Sequence, residues 1–300
     1  MKVVVAGGTG FIGRRLIEGL LDEGHRVVIL TRRPNIDLPV AVRQVIWDGK
    51  TTGPWAGEID AAEGVINLAG EPLAARLWTK AQKQRIASSR IDTTAAIVEA
   101  IRRARQRPAV LINASAVGIY GDVQEKVITE DHPSGVGFLA ETCSRWEAQA
   151  LVARALGVRV AMLRAGVVLG DGGGVLEKML LPFRLFIGGP LGSGRQGFPW
   201  VHRDDVVGAI LCILSTSAAE GPVNIVAPET LTMAQFCKIL GHVLHRPSWL
   251  HVPSIMLRTV LGEMSVVVLT GQKIIPRKLL AFRYNFKYPN AMQALENILS

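Results

Sequence analysis

The residues of this 300-residue chain that could do chemistry gather first near its start. A β-branched run at 3–6 leads straight into Gly7-Gly8-Thr9-Gly10-Phe11-Ile12-Gly13, and helical spacing of apolar residues (Ile12, Leu16, Leu20, Leu21) follows. Strand, glycines, helix is the order that suits a phosphate. Gly7 permits a tight turn, Gly10 lets backbone reach a pyrophosphate, and Gly13 lets the helix lie close to the strand; the helix start offers unpaired N–H groups and a partial positive charge. The expectation is a dinucleotide lined by Gly7, Thr9, Gly10, Phe11 and Ile12.

The end of the second strand (26–31) discriminates between dinucleotides. A site for NAD usually places a carboxylate there for the ribose 2′-OH, whereas a 2′-phosphate needs cations. Here the strand ends Leu30-Thr31-Arg32-Arg33. Two planar, permanently charged guanidinium groups, with Thr31 as a further donor, favour NADP(H). The plainer alternative is a pair of solvated arginines. The fourth strand (64–68) ends in Asn67-Leu68-Ala69-Gly70, and the small residues Leu68, Ala69 and Gly70 let the chain pass beneath a ribose and pyrophosphate. Trp47, ending the third strand (42–47), is either a wall for adenine or simple packing.

Positioning these residues takes a particular fold. Short β-branched runs at 3–6, 26–31, 42–47, 64–68, 110–114 and 159–163 alternate with helical patterns at 11–23, about 79–105 and about 139–156. That alternation reads as α/β: a Rossmann-type doubly wound parallel sheet. Glycine-rich stretches at 170–174 and 188–197 break the pattern and open a smaller C-terminal substrate lobe. We therefore expect an NADP-binding domain over 1–165 and a substrate lobe over 166–300. Within the latter, 198–226 returns to the sheet and 245–300 forms a C-terminal segment.

Composition removes other classes. Hydrophobic residues make up 49% of the chain and charged residues 20%, which supports a large core and no disordered bulk. No apolar run approaches the roughly 18 residues of a membrane span, and no secretory leader pattern is visible, so a cytoplasmic protein without membrane partners is expected. Cys143, Cys212 and Cys237 form no C-x-x-C, and His242, His245 and His251 have no carboxylate or thiol to complete a ligand set; no disulfide framework and no metal site is expected. The net charge of +9 raises the question of nucleic acid. Its densest run, Arg102, Arg103, Arg105 and Arg107 before Pro108, is better explained as cations at a helix C-terminus, because no aromatic residue is interleaved.

Taken together, Gly7–Gly13, Asn67–Gly70, Ser115-Ala116-Val117-Gly118-Ile119-Tyr120-Gly121, Leu163–Gly170 and Trp200-Val201-His202-Arg203-Asp204-Asp205-Val206 resemble the extended short-chain dehydrogenase/reductase superfamily, of the NAD(P)-dependent epimerase/dehydratase type. Pro253-Ser254-Ile255, Gly271-Gln272-Lys273 and Ile275-Pro276-Arg277 resemble the C-terminal segment of an epimerase-like subfamily of NADP-binding oxidoreductases whose substrate is unassigned. The resemblance spans nearly the whole chain. It implies that Ala114 and Val168 border the cofactor, that Arg90 stands near it where Asn is common, and that a homodimer could form through the helices near 79–105 and 139–156.

The departures bear on chemistry. The superfamily uses a Tyr-x-x-x-Lys pair in which the cation lowers the phenol's pKa for proton transfer. Of only three tyrosines here, none has Lys four residues on. The resemblance puts Leu139 and Cys143 at those two positions, and Ala116 where the family's catalytic hydroxyl stands. Ser115 and Tyr120 are the residues left to polarise a carbonyl. Phe198 replaces a cation that grips nucleotide-sugar diphosphates, with Arg195 and Arg184 as substitutes, so an apolar or smaller substrate held by Phe198, Trp200 and Met179 is an equal expectation. The sequence thus predicts an NADP(H)-binding, epimerase-like oxidoreductase acting on an unidentified small molecule. The alternative is a non-catalytic NADP(H)-binding sensor or scaffold.

Overall fold

Three consecutive valines, Val3-Val4-Val5, stay out of water only if both faces of their strand are covered. All three are fully buried in a computed structural model of the chain, which describes residues 1–34, 37–123 and 126–300. In chain order the elements are β1 (Lys2–Ala6), α1 (Phe11–Asp22), β2 (Arg26–Thr31), β3 (Arg43–Ile46), β4 (Gly64–Asn67), α2 (Lys80–Arg103), β5 (Val110–Ala116), β6 (Val127–Ile128), α3 (Phe138–Leu151), β7 (Arg159–Ala165) and β8 (Val167–Leu169). There follow α4 (Gly174–Arg184), β9 (Trp200–His202), α5 (Arg203–Ser215), β10 (Gly221–Ile225), α6 (Met233–Val243), α7 (Ser254–Leu261), α8 (Val266–Leu269), β11 (Lys273–Ile274), α9 (Arg277–Ala281) and α10 (Ala291–Leu299).

Seven strands form one parallel sheet in the order β10-β7-β5-β4-β1-β2-β3. Val4 registers with Val28 of β2 on one side and Val65 of β4 on the other. The chain winds outward in one direction from β1 through β2 and β3, then in the other from β4, so β1 and β4 flank the point where the winding reverses. In such sheets that point opens a crevice at the strands' carboxyl ends. One face is covered by α1, α5 and the C-terminal residues Leu279, Phe282, Tyr284 and Phe286. The other packs against α2 and α3, with Trp47 and Trp55 edge-to-face at 5.1 Å. A third core, centred on Phe183, Trp200, Phe236 and Leu295, belongs to the lobe built from α4, α6 and α10. Among the described residues no helix is long and apolar enough to cross a membrane.

Strands β5 and β7 each run two residues past their sequence-expected ends, and a buried polar cluster explains why. Ser115 registers with Arg164 across the two strands. Arg164 makes a bidentate pair with Glu147 of α3, Nε to Oε1 and Nη2 to Oε2, both at 2.9 Å. Its Nη1 donates to the Tyr120 hydroxyl at 3.0 Å and to the Glu130 carbonyl at 3.1 Å. Ser115 donates to Glu147 Oε1 at 2.6 Å, and Tyr120 donates to Asn224 Oδ1 of β10 at 2.6 Å. Polar residues ended the apolar runs in sequence, yet here they continue the ladder because each finds a partner.

Two further polar groups pin the lobe to the sheet. Asp205 on α5 accepts from the backbone N–H of Lys287 and Tyr288 and from the Tyr284 hydroxyl. His202 precedes α5, and its Nδ1 accepts from the Asp204 N–H at 3.0 Å, capping the helix.

Breaking the Arg164–Glu147 pair leaves a charge stranded where water cannot reach. Glu147→Ala should cost about 3–5 kcal/mol, lowering the urea midpoint at unchanged slope, whereas the double change Glu147→Leu with Arg164→Met should cost less than the single one. If the double variant is less stable than Glu147→Ala, the desolvation account is wrong. Burial pushes the His202 imidazole down to about 4 from 6.5. Between those values the unfolded chain takes up a proton that the folded protein refuses, so stability falls as pH drops from about 6.5 toward 4. Replacing His202 by Asn should remove about 2 kcal/mol of that acid sensitivity, read from urea midpoints at pH 7 and pH 4.5.

Candidate functional site: the crevice between β1 and β4

The loop after β1 and the loop after β4 touch backbone to backbone. Gly7 has φ +81°, and a Cβ there would sit 2.8 Å from the Ala69 nitrogen and the Leu68 carbonyl carbon. A Cβ on Gly13 would meet the Gly7 carbonyl oxygen at 2.3 Å, so α1 can start this close only with glycine there. Gly10 stands at the N-cap with no capping side chain, and the first turn of α1 carries no carboxylate. The amides of Phe11, Ile12 and Gly13 therefore face the crevice open, at the positive end of the helix dipole. Asn67, fully buried, holds the facing loop: its Oδ1 accepts from Ala69 N–H at 3.2 Å while its Nδ2 donates to Thr94 and Asn113.

This cradle fits a dinucleotide, having a close approach without side chains and open donors with no competing anion. Gly7 meets Leu68 and Ala69 there, Gly10 lies against the Gly7 carbonyl, and Ile12 packs against the core beneath. The Phe11 ring packs under the 170–174 loop, where Cβ atoms on Gly170 and Gly173 would lie 3.0 and 3.1 Å from it, and the Arg203 guanidinium lies over its other side at 5.0 Å. Phe11 thus joins the phosphate loop to the start of α4, and Val168 of β8 lies half-buried beside the same loop.

At the end of β2, Arg32 and Arg33 are exposed, and among the described residues neither has a carboxylate in ion-pair range. Thr31 differs from expectation. Its hydroxyl donates to the Arg33 carbonyl at 2.6 Å, so it shapes the turn that presents the arginines and has no proton left for a ligand. Trp47 is 6% exposed and packed on Trp55, which makes it core.

On the other side, Arg90 of α2 lies against the Gly70 backbone, its guanidinium carbon 3.2 Å from where a Cβ would be, and over the Trp146 ring at 5.3 Å. Its Nη1 donates to the carbonyls of Glu71 and Ile86. Burial lowers its pKa, and its charge is felt at Cys143. Burial pushes the Cys143 thiol up to about 11, so it stays protonated at neutral pH. Leu139 packs on Gly118. Ala114, half-buried, ends the apolar part of β5.

Ser115 and Tyr120 require correction. Tyr120 is 1% exposed and Ser115 5%, and both hydroxyl protons are donated inward, to Asn224 and Glu147. Burial also raises the Tyr120 phenol above its ordinary pKa. Neither is placed to polarise a carbonyl in the crevice. Phe198 and Trp200 are likewise core, at 6% and 0% exposure, whereas Met179 does line a cavity. The residues that sequence reasoning missed are Glu130, Arg164 and Asn224, whose roles depend on contacts far apart in the chain. Among the described residues no group of three His, Cys, Asp or Glu could hold a metal.

The chain is similar over its full length to the epimerase family protein SDR39U1 homolog of Arabidopsis thaliana (chloroplastic), at 41% identity with 87% of that protein covered. It is also similar to the epimerase family protein YfhF of Bacillus subtilis, at 37% identity over 100% of this chain and 98% of that one. The structure of human epimerase family protein SDR39U1 (isoform 2) with NADPH superposes with a TM-score of 0.89 at 35% identity, over 99% of each chain. Residues 252–298 match a domain of unknown function, DUF1731. With residues 3–226 matching its family model, the chain belongs to the NAD dependent epimerase/dehydratase family.

Proposed function

We propose that this protein binds NADP(H) in the crevice between β1 and β4 and acts as an epimerase-like oxidoreductase on a small molecule held by the C-terminal lobe. The observation that carries this is the pair Arg32–Arg33, exposed and, among the described residues, without carboxylate partners at the strand end where a 2′-phosphate would lie, beside an uncapped helix N-terminus. The human relative solved with NADPH supports the same cofactor.

The cofactor would supply hydride chemistry at its nicotinamide. This chain's residues do the rest. The open amides of Phe11, Ile12 and Gly13 receive the pyrophosphate, Arg32 and Arg33 the 2′-phosphate, and Ala69 and Gly70 pass beneath the ribose. Arg90 brings a permanent cation to the side of the crevice where Cys143 stands in place of the family's lysine. The three phenols are engaged elsewhere, Tyr120 with Asn224, Tyr284 with Asp205 and Tyr288 against the His202 ring.

The missing acid constrains the substrate. A simple ketone becomes an alkoxide as hydride arrives and needs a proton at once, whereas a quinone is reduced to an anion stable enough to await one from water. Quinones should therefore turn over faster than unactivated ketones or nucleotide sugars. The absence of the Tyr–Lys pair also favours a second reading, a sensor that binds NADP(H) without chemistry.

Calorimetric titration should show NADPH binding more tightly than NADH. Arg32→Ala with Arg33→Ala should weaken NADPH about 10- to 100-fold, as two charge-assisted contacts are lost, and leave NADH nearly unchanged. Equal losses for both would sink the 2′-phosphate assignment. Following NADPH absorbance against quinones, aldehydes, ketones and nucleotide sugars then separates the readings. Consumption with quinones foremost is the outcome expected of the oxidoreductase; no consumption, with ligands still shifting NADPH affinity, establishes the sensor.

A further inference from the structure

Beside the crevice lies a cavity of about 320 Å³ that the cofactor does not account for. Its floor is α4, through Val175, Met179 and Pro182; its roof is the segment spanning α7 and α8, through Leu261, Met264 and Val267; Leu73 closes one side. The volume is at the small end of the range for small-molecule sites. The lining is almost wholly apolar. Its one charged residue is Lys178, whose Nζ donates to the Ala74 carbonyl at 3.1 Å.

The cavity is placed to serve the crevice. Leu73 and Ala74 come directly after Gly70-Glu71-Pro72, and Val175 follows the glycines that pack on Phe11. One wall therefore continues the β4 loop and the floor continues the phosphate loop. The roof is held lightly. Neither α7 nor α8 buries a residue, and polar ties fix the segment at Lys83 Nζ to Glu263 (2.6 Å) and Gln196 Nε2 to the Val268 carbonyl (2.9 Å). A nucleoside diphosphate would need several cations facing inward, and the lining offers one, already bonded.

We infer that this cavity is the substrate subsite and that it takes the body of an uncharged lipophilic carbonyl compound, an aromatic or alicyclic ketone or quinone. The C-terminal segment supplies the selectivity, since it contributes the roof and with it the exclusion of water. The inference rests on the cofactor assignment for its chemistry but not for the binding itself.

Benzophenone is a suitable probe, being a neutral lipophilic ketone that inserts into nearby C–H bonds on irradiation and favours methionine. The full chain is irradiated with it at increasing concentration, with and without NADPH, and the adducts are mapped by peptide mass. Saturable labelling of Met179 and Met264, undiminished by excess UDP-glucose, is expected. Val267→Trp, at a partly exposed roof position that tolerates bulk, should weaken benzophenone at least tenfold while NADPH affinity stays within twofold. Labelling confined to the exposed Met256, failure to saturate, displacement by UDP-glucose, or indifference to Val267→Trp would each overturn the inference. If NADPH itself does not bind, the cofactor assignment falls, and labelling of Met179 and Met264 still decides the cavity.

Discussion

Two opposite charges, Arg164 and Glu147, are taken almost entirely out of water between the sheet and α3, with side chains 10% and 7% exposed. Desolvation of such a pair is recovered only when every donor and lone pair is matched. That requirement recruits its neighbours. Ser115 fills a lone pair of Glu147, Tyr120 and the Glu130 carbonyl accept from the remaining guanidinium nitrogen, and Asn224 accepts from Tyr120. Glu130 in turn accepts from the backbone of Asn224 and Lys278, and Asn224 donates to the Ile275 carbonyl. Through one ion pair, β5, β7, β10, α3 and the C-terminal segment are locked together at the floor of the crevice. The C-terminal residues are consequently registered against the sheet by polar bonds as well as by packing.

The same network accounts for what sequence could and could not disclose. The parallel sheet, the glycine loop and the arginines at the end of β2 were legible because each is written locally: β-branched runs, a fixed glycine spacing, charges immediately after a strand. Ser115 and Tyr120 were misjudged because their neighbours in space, Glu147 and Asn224, lie 32 and 104 positions away. A hydroxyl at a strand end looks the same in sequence whether it faces a ligand or a buried carboxylate. Phe198 and Trp200 misled for a related reason. Aromatic residues next to glycines suggest a ligand wall, but these fill the lobe's core against Phe236. The roof of the apolar cavity could not be read as such, since its helices bury no residue and what they face, α4, lies some 80 positions earlier in the chain.

The net charge of +9 gains meaning once the cations are placed. Arg15, Arg43, Arg154, Arg203 and Arg277 each meet a carboxylate, and Arg159 is spent on the carbonyls of Ile213, Leu214 and Ala219. These arginines staple elements together. Arg32 and Arg33 are solvated and without a carboxylate partner among the described residues, as several other surface arginines are, but stand at the end of β2; Arg90 is buried against backbone and an aromatic ring. Arg32, Arg33 and Arg90 thus bring cations to two sides of the region around the β1 and β4 strand ends.

That distribution sets limits on the chemistry. Arg90 cannot give up its proton even though burial lowers its pKa, because a guanidinium starts so high. Cys143, held near 11, stays a neutral thiol at neutral pH and supplies no second cation where the family has lysine, and Leu139 has no proton to give. A cation that never titrates can hold an oxygen or a ribose hydroxyl and stabilise negative charge, but it cannot serve as the acid. On the function proposed above, that fixed charge and the apolar lining of the neighbouring cavity favour lipophilic acceptors whose reduced forms are stabilised anions over sugars bound through a diphosphate.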